Sequence, residues 1–178
     1  KTMKVITKRR LIDKANTRDR SVNDMISDLK IRFKIVVLPR PNTLEEEMDI
    51  VKTRIEKLSE GMALLSKVPE AEVIKKVCTI FRELRQGETL DGKQKIKSTA
   101  NVLSTAEAIS LLTNSMSLAG SFGDGEISDA DLAAGLQGAI VKEDSKDSKV
   151  WEEYLENIMK KRGKEWIGLY NECRMLNG

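Results

Sequence analysis

Phe33-Lys34-Ile35-Val36-Val37-Leu38-Pro39-Arg40-Pro41-Asn42-Thr43-Leu44-Glu45-Glu46-Glu47-Met48 is the stretch on which the fold turns. Residues 33–38 are apolar and β-branched around one lysine, the composition of a strand buried in a sheet. Pro39-Arg40-Pro41 can continue neither ladder nor helix. Each proline lacks a donor, fixes its own φ and restrains the residue before it. Thr43 and Glu46 then stand at capping-box spacing. After them Leu44, Met48, Val51, Ile55, Leu58 and Met62 recur at steps of four and three, an apolar stripe along one helix face. Strand chemistry thus gives way to helix chemistry across a stiff connector. The predicted division is residues 1–41, the end of a strand-containing domain, and 42–178, a helical domain.

Downstream, Pro69 suits the first turn of a helix and Gly87 its end, with Val73, Val77, Ile80 and Leu84 as the buried face. Asp91-Gly92 in a polar stretch predicts a short β-hairpin pairing Thr89-Leu90 with Ile96-Lys97. Ser104 with Glu107 predicts a second capping box, followed by Ile109, Leu112, Met116 and Ala119 on one face. Phe122-Gly123-Asp124-Gly125 ends that helix, and Ser128 with Asp131 opens another running to Val141. Residues 142–149 are expected to be a loop. Trp151, Tyr154, Leu155 and Ile158 mark a helix ending near Gly163, and Trp166, Leu169, Tyr170 and Cys173 mark the last one. Upstream, residues 1–21 are basic and poorly patterned, Asn16 to Ser21 reads as a loop, and Asn23 suits the cap of a short helix. The expected fold class is mainly α, with a small strand-containing remnant and one short β-hairpin.

Composition limits the chemistry. The 178 residues carry 31 Lys and Arg against 28 Asp and Glu, a net charge of +3, so the surface is mixed rather than dominated by one sign. Aromatics are 4% of the chain, and the basic runs Lys8-Arg9-Arg10 and Lys160-Lys161-Arg162 are short. A nucleic-acid surface would concentrate cations with aromatics to stack on bases, so nucleic acid is not the expected partner. Histidine is absent and the only cysteines are Cys78 and Cys173, which removes the usual zinc sites and His-dependent triads. Cys78 falls on an apolar helix face and reads as a small buried hydrophobe. The longest apolar runs fall short of a membrane span, and the chain is expected to be cytoplasmic. Lys1 in place of an initiator methionine suggests a fragment or a processed product.

Three features could carry chemistry. Asn16-Thr17-Arg18-Asp19-Arg20 could be a functional loop or a solvated turn. Arg32, before the strand, could be functional or could complement a helix dipole. Phe122-Gly123-Asp124-Gly125 has the glycines and carboxylate of a phosphate or calcium loop but lacks both the Gly-Lys-Ser/Thr ending and regular acidic spacing, so it reads as a turn.

Taken in order, Ala15-Asn16-Thr17-Arg18-Asp19, a short helix, Leu29-Lys30-Ile31-Arg32-Phe33, the strand Ile35 to Leu38, the proline connector and a helix opened by Glu45-Glu46-Glu47 resemble the AAA+ ATPases of the MoxR type. Further on, Phe81-Arg82-Glu83-Leu84-Arg85, Asp91-Gly92, Leu103-Ser104-Thr105-Ala106-Glu107-Ala108, Phe122-Gly123-Asp124-Gly125 and Trp151-Glu152-Glu153-Tyr154-Leu155-Glu156 are similar to a MoxR-related subgroup. The resemblance implies that residues 1–41 end an AAA+ core and that 42–178 form its C-terminal helical lid. It implies Asn16 as the sensor-1 residue beside the γ-phosphate and Arg32 as an arginine finger acting in trans. It also implies ATP and Mg2+ in the intact parent, a homo-oligomeric ring (commonly a hexamer) and a partner with a von Willebrand factor A domain. The parent would couple ATP hydrolysis to remodelling or assembly of partner proteins.

Two departures stand out. The family's lid arginine, sensor 2, falls at Ala106 here. The Lys-containing phosphate loop and the Asp-Glu metal-binding strand end, which the family places N-terminal to the sensor, are absent from these residues. The chain alone is therefore expected to hydrolyse no ATP and to bind no nucleotide or metal. The rival readings are a non-catalytic helical interaction module and a nucleic-acid binder using residues 1–20.

Overall fold

Thr43 opens the first helix as its spacing predicts. Its hydroxyl accepts the Glu46 N–H at 3.1 Å, and the Glu46 carboxylate reaches back to the Asn42 N–H at 2.7 Å, one residue before the cap. The computed structural model describes residues 40–62, 67–99, 103–142 and 145–177. The predicted strand at 33–38, the helix capped by Asn23 and both Asn16 and Arg32 lie outside them.

The described residues contain six α-helices: α1 Leu44–Met62, α2 Ala71–Gln86, α3 Thr105–Phe122, α4 Asp129–Ile140, α5 Ser145–Asn157 and α6 Ile167–Leu176. Two 3₁₀ turns, Met159–Lys161 and Lys164–Trp166, join the last two helices. α1, α2 and α3 pack on one another, α3 packs on α4, and α4 on α6, while α5 leans on α4 and α6. Pro41–Gly178 forms one compact unit. The capping boxes at Ser104–Glu107 and Ser128–Asp131 are both closed in each direction.

α2 is the centre. Val77, Cys78, Ile80, Phe81 and Leu84 are fully buried, but so nearly are Thr79 and Glu83, and Arg82 is only 9% exposed. The helix is therefore enclosed around most of its circumference in its second half, beyond the single face that Val73, Val77, Ile80 and Leu84 suggest. Around it Ile55, Leu103, Leu112, Leu136, Trp151, Tyr154 and Leu169 complete an aliphatic-rich core. α3 and α4 approach closely at Gly135, where a Cβ would come within 2.9 Å of Leu111.

The structure corrects four expectations. α2 begins at Ala71, with Pro69 before its cap Glu70, because the Glu70 carbonyl accepts the first helical N–H groups, from Val73 and Ile74. The charged stretch at 145–149 is helix, not loop; Asp147 and Val150 are buried there and continue the stripe of Trp151 and Tyr154. That helix stops at Asn157, well before Gly163, and continues as 3₁₀ turns. The hairpin is reduced to one antiparallel bridge, Glu88 with Lys95. Leu90 cannot enter a ladder because its N–H donates to the Glu83 carboxylate at 3.0 Å. Thr89 and Asp91 instead close a turn. The Asp91 carboxylate accepts from the Thr89 hydroxyl at 2.6 Å and the Lys93 N–H at 3.1 Å, which holds it down at about 2. Gly92 takes the left-handed φ of 69° that this turn needs.

Phe81→Ala should cost about 3–5 kcal/mol of unfolding free energy, the range for emptying an aromatic core site. Phe122, 87% exposed, should tolerate Ser with a change under about 0.5 kcal/mol. Urea unfolding of the two variants beside the parent chain measures the contrast.

Candidate functional site

Where the connector enters the helical domain, a carboxylate is buried in the company of two guanidinium groups. Glu47, in the first turn of α1, has no exposed surface. Arg85 of α2 grips it with both terminal nitrogens, Nη2 to Oε2 at 2.7 Å and Nη1 to Oε1 at 3.1 Å. Thr105, the first residue of α3, donates its hydroxyl to Oε1 at 2.9 Å, and Arg82 Nη1 stands 3.4 Å from Oε2. One carboxylate thus ties three helices, through a bidentate pair of the strong, directional kind.

Two arginines face one carboxylate, so the surplus positive charge needs other acceptors. Backbone carbonyls supply them. Arg85 donates to the Leu103 carbonyl at 2.9 Å. Arg82 donates to the carbonyls of Pro41 at 3.4 Å and Thr43 at 3.2 Å, and to that of Asn42 between them. Three consecutive carbonyls, from Pro41 at the end of the connector to the cap Thr43, therefore converge on one guanidinium, whose planar fork suits several acceptors at once.

A second carboxylate sits on the next residue of α2. Glu83, 1% exposed, accepts the Tyr154 hydroxyl at 2.6 Å and an N–H of Arg162, besides the Leu90 amide. Burial, above all, pushes the Tyr154 hydroxyl well above its ordinary range, so it stays protonated and donates. Arg162 also stacks 4.3 Å over the Trp166 ring. This cluster pins the 88–95 turn and the α5–α6 junction to α2.

The other singled-out residues resolve simply. Ala106 is exposed in the first turn of α3, and the guanidinium groups of Arg82 and Arg85 on α2 are engaged by Glu47 and carbonyls. Phe122 ends α3, and residues 123–126 bend away from it. The Gly123 and Gly125 N–H groups both donate to the Ala119 carbonyl at 3.0 Å, and Asp124 accepts the Glu126 N–H. No cluster of three or more metal-ligating side chains occurs among the described residues. No helix among them is long and apolar enough to cross a membrane. Cys78 and Cys173 are buried free thiols. Sequence reasoning missed Glu47, Arg82, Glu83 and Arg85 as a set. The available signal was Glu47 itself, which lies three residues after Leu44 and four before Val51, so it carries a charge within the apolar stripe.

Comparison with known proteins first gives a class, the C-terminal domain of an AAA+ ATPase, by a family model that matches residues 45–176. Within that class the chain belongs to the YehL-like AAA+ ATPase C-terminal domain family. It is similar to the uncharacterized protein YehL of Escherichia coli (strain K12), 32% identical over 150 residues, which cover 82% of this chain and 40% of that protein. The chain thus spans about 40% of the length of this curated relative. No solved structure matches.

Glu47→Ala should destabilise the domain by about 3–5 kcal/mol, because it leaves the buried surroundings of Arg82 and Arg85 without their counter-charge; chemical denaturation measures it. The two thiols are pushed up to about 12, chiefly by burial and, for Cys78, further by the Glu47 charge. A thiol reagent at pH 8 should therefore titrate neither in the native chain and both in denaturant. With folded values raised, their contribution to stability is complete below the ordinary value of 9.0 and is lost as pH rises from there towards 12.

Proposed function

We propose that this chain is the C-terminal part of a MoxR-like AAA+ ATPase in which ATP hydrolysis drives remodelling or assembly of partner proteins. The observation that carries the reading is the family match over residues 45–176, preceded in the same chain by Asn16, Arg32, the 33–38 segment and the proline connector in the order that such ATPases use. On this reading the helical domain is the lid and the intact parent binds ATP and Mg2+. Asn16 orients the attacking water as sensor 1, since an amide can hold a water without titrating. Arg32 meets the charge that develops on the phosphoryl group of the neighbouring subunit's nucleotide. The assembly is a homo-oligomeric ring, hexameric by analogy, acting in the cytoplasm with a partner that carries a von Willebrand factor A domain. The family analogy supports the ring and partner, and the engaged lid arginines fit a lid that contributes no sensor-2 side chain at Ala106.

The test is ATP turnover by the full-length protein. Arg32→Ala should leave nucleotide binding nearly intact and lower turnover ~10³-fold or more, the scale of a lost arginine finger. Lys at this position should not restore the rate, because a point charge lacks the fork. Mixing Arg32→Ala subunits with subunits that cannot bind nucleotide but keep Arg32 should regain turnover. Mixed rings that assemble yet stay inactive would remove the trans role.

A further inference from the structure

Pro41, Asn42 and Thr43, where the chain passes from the connector into α1, are held by one side chain. Arg82 spans from α2 to the carbonyls of Pro41, Asn42 and Thr43, while its distance to the Glu47 carboxylate is the longest among that group's partners. Glu47 keeps Arg85 and Thr105 without it. Asn42 and Thr43 are themselves exposed and Pro41 is half-buried, so their carbonyls could be met by water. The Arg82 contacts therefore do little to hold the helices together, and their distinct effect is to fix where the chain enters them.

We propose that Arg82 is a positioning residue for nucleotide turnover. It fastens the connector to α2, so that residues 41–43 move as part of the helical domain and any pivot lies N-terminal to Pro41. The inference rests on the reading of the parent as an ATPase and adds to it the residue that converts a change in chain direction at the connector into a displacement of the whole domain. Physically, peeling 41–43 away would leave a nearly buried guanidinium with one long bond, 3.4 Å to Glu47, in place of four acceptors, a costly state. Pro41, the first of the three, has its own φ fixed by its ring. A loose connector would let the domain sample many orientations, and small misplacements of a positioned group are enough to slow chemistry ~10²-fold.

The test uses the full-length protein in four forms: wild type, Arg82→Ala, Arg82→Lys and Val77→Ala. Val77 is fully buried on the same helix and makes no connector contact of this kind, so its variant reports simple destabilisation. Hydrogen exchange is followed at the amides of Asn42, Glu46 and Glu47, which donate to Glu46, Thr43 and the Thr43 carbonyl respectively. In Arg82→Ala those amides should exchange faster while α4–α6 keep wild-type protection, and turnover at saturating ATP should fall ~10-fold or more. Arg82→Lys should recover thermal stability but not turnover, because lysine offers one nitrogen where Arg82 uses two, Nη2 on the Asn42 carbonyl and Nη1 on those of Pro41 and Thr43. Val77→Ala should lose at least as much thermal stability and keep turnover within about twofold. Wild-type turnover in Arg82→Ala despite faster connector exchange would overturn the proposal, as would unchanged connector exchange or an equal loss of turnover in Val77→Ala. Absence of turnover in the wild type would sink the ATPase reading itself, and this inference with it, and is told apart by that control alone.

Discussion

A fully buried carboxylate cannot stand alone in a protein interior, and the solution reached at Glu47 organises this domain. Desolvating it is costly, and the cost is offset only by donors placed at bonding distance. Those donors come from α2 and from the first residue of α3. The second guanidinium that arrives with them exceeds the available carboxylate charge and draws in backbone carbonyls of the connector. The entry of the chain, the crossing of α1 over α2 and the start of α3 are thus consequences of one electrostatic requirement. A purely apolar contact would have been as compatible with packing but would have left the direction of the connector unspecified, since hydrophobic contact has no preferred angle.

Most of the helical architecture was legible because caps and periodicity are local. Thr43, Ser104 and Ser128 each stand three residues before a carboxylate, and all three open helices. Gly87 ends α2 with a left-handed φ of 75°, as a glycine after an apolar stripe should. The misread elements share a different cause. The 145–149 stretch looks like a solvated loop until Asp147 is known to be buried, and the Asp91-Gly92 segment looks like a hairpin until Leu90 is seen to give its N–H to Glu83. In both, burial or a side-chain contact beyond the adjacent residues decided the local conformation. The polar clusters were illegible for the same reason. Glu47 and Arg85 lie far apart in sequence, and no spacing rule links them. Of the candidate site, only the hint of a charge within an apolar stripe could have been noticed beforehand. Asn16 and Arg32 lie outside the described residues, so their roles rest on resemblance.

Family membership and geometry bear on different levels. The match over 45–176 says which lineage of domain this is. The geometry says how a domain of this lineage holds together, with α2 enclosed in the core and two polar clusters, at Glu47 and at Glu83, tying other elements to it.

Arg82 and Glu83 are neighbours in sequence, yet they serve opposite clusters, one at the connector and one at the α5–α6 junction. Successive residues of an α-helix point about 100° apart, so this division of labour depends on the phase of α2. Adding or deleting a single residue upstream within the helix would rotate both side chains together and disconnect both clusters at once. In terms of descent, α2 should accept substitutions far more readily than changes of length.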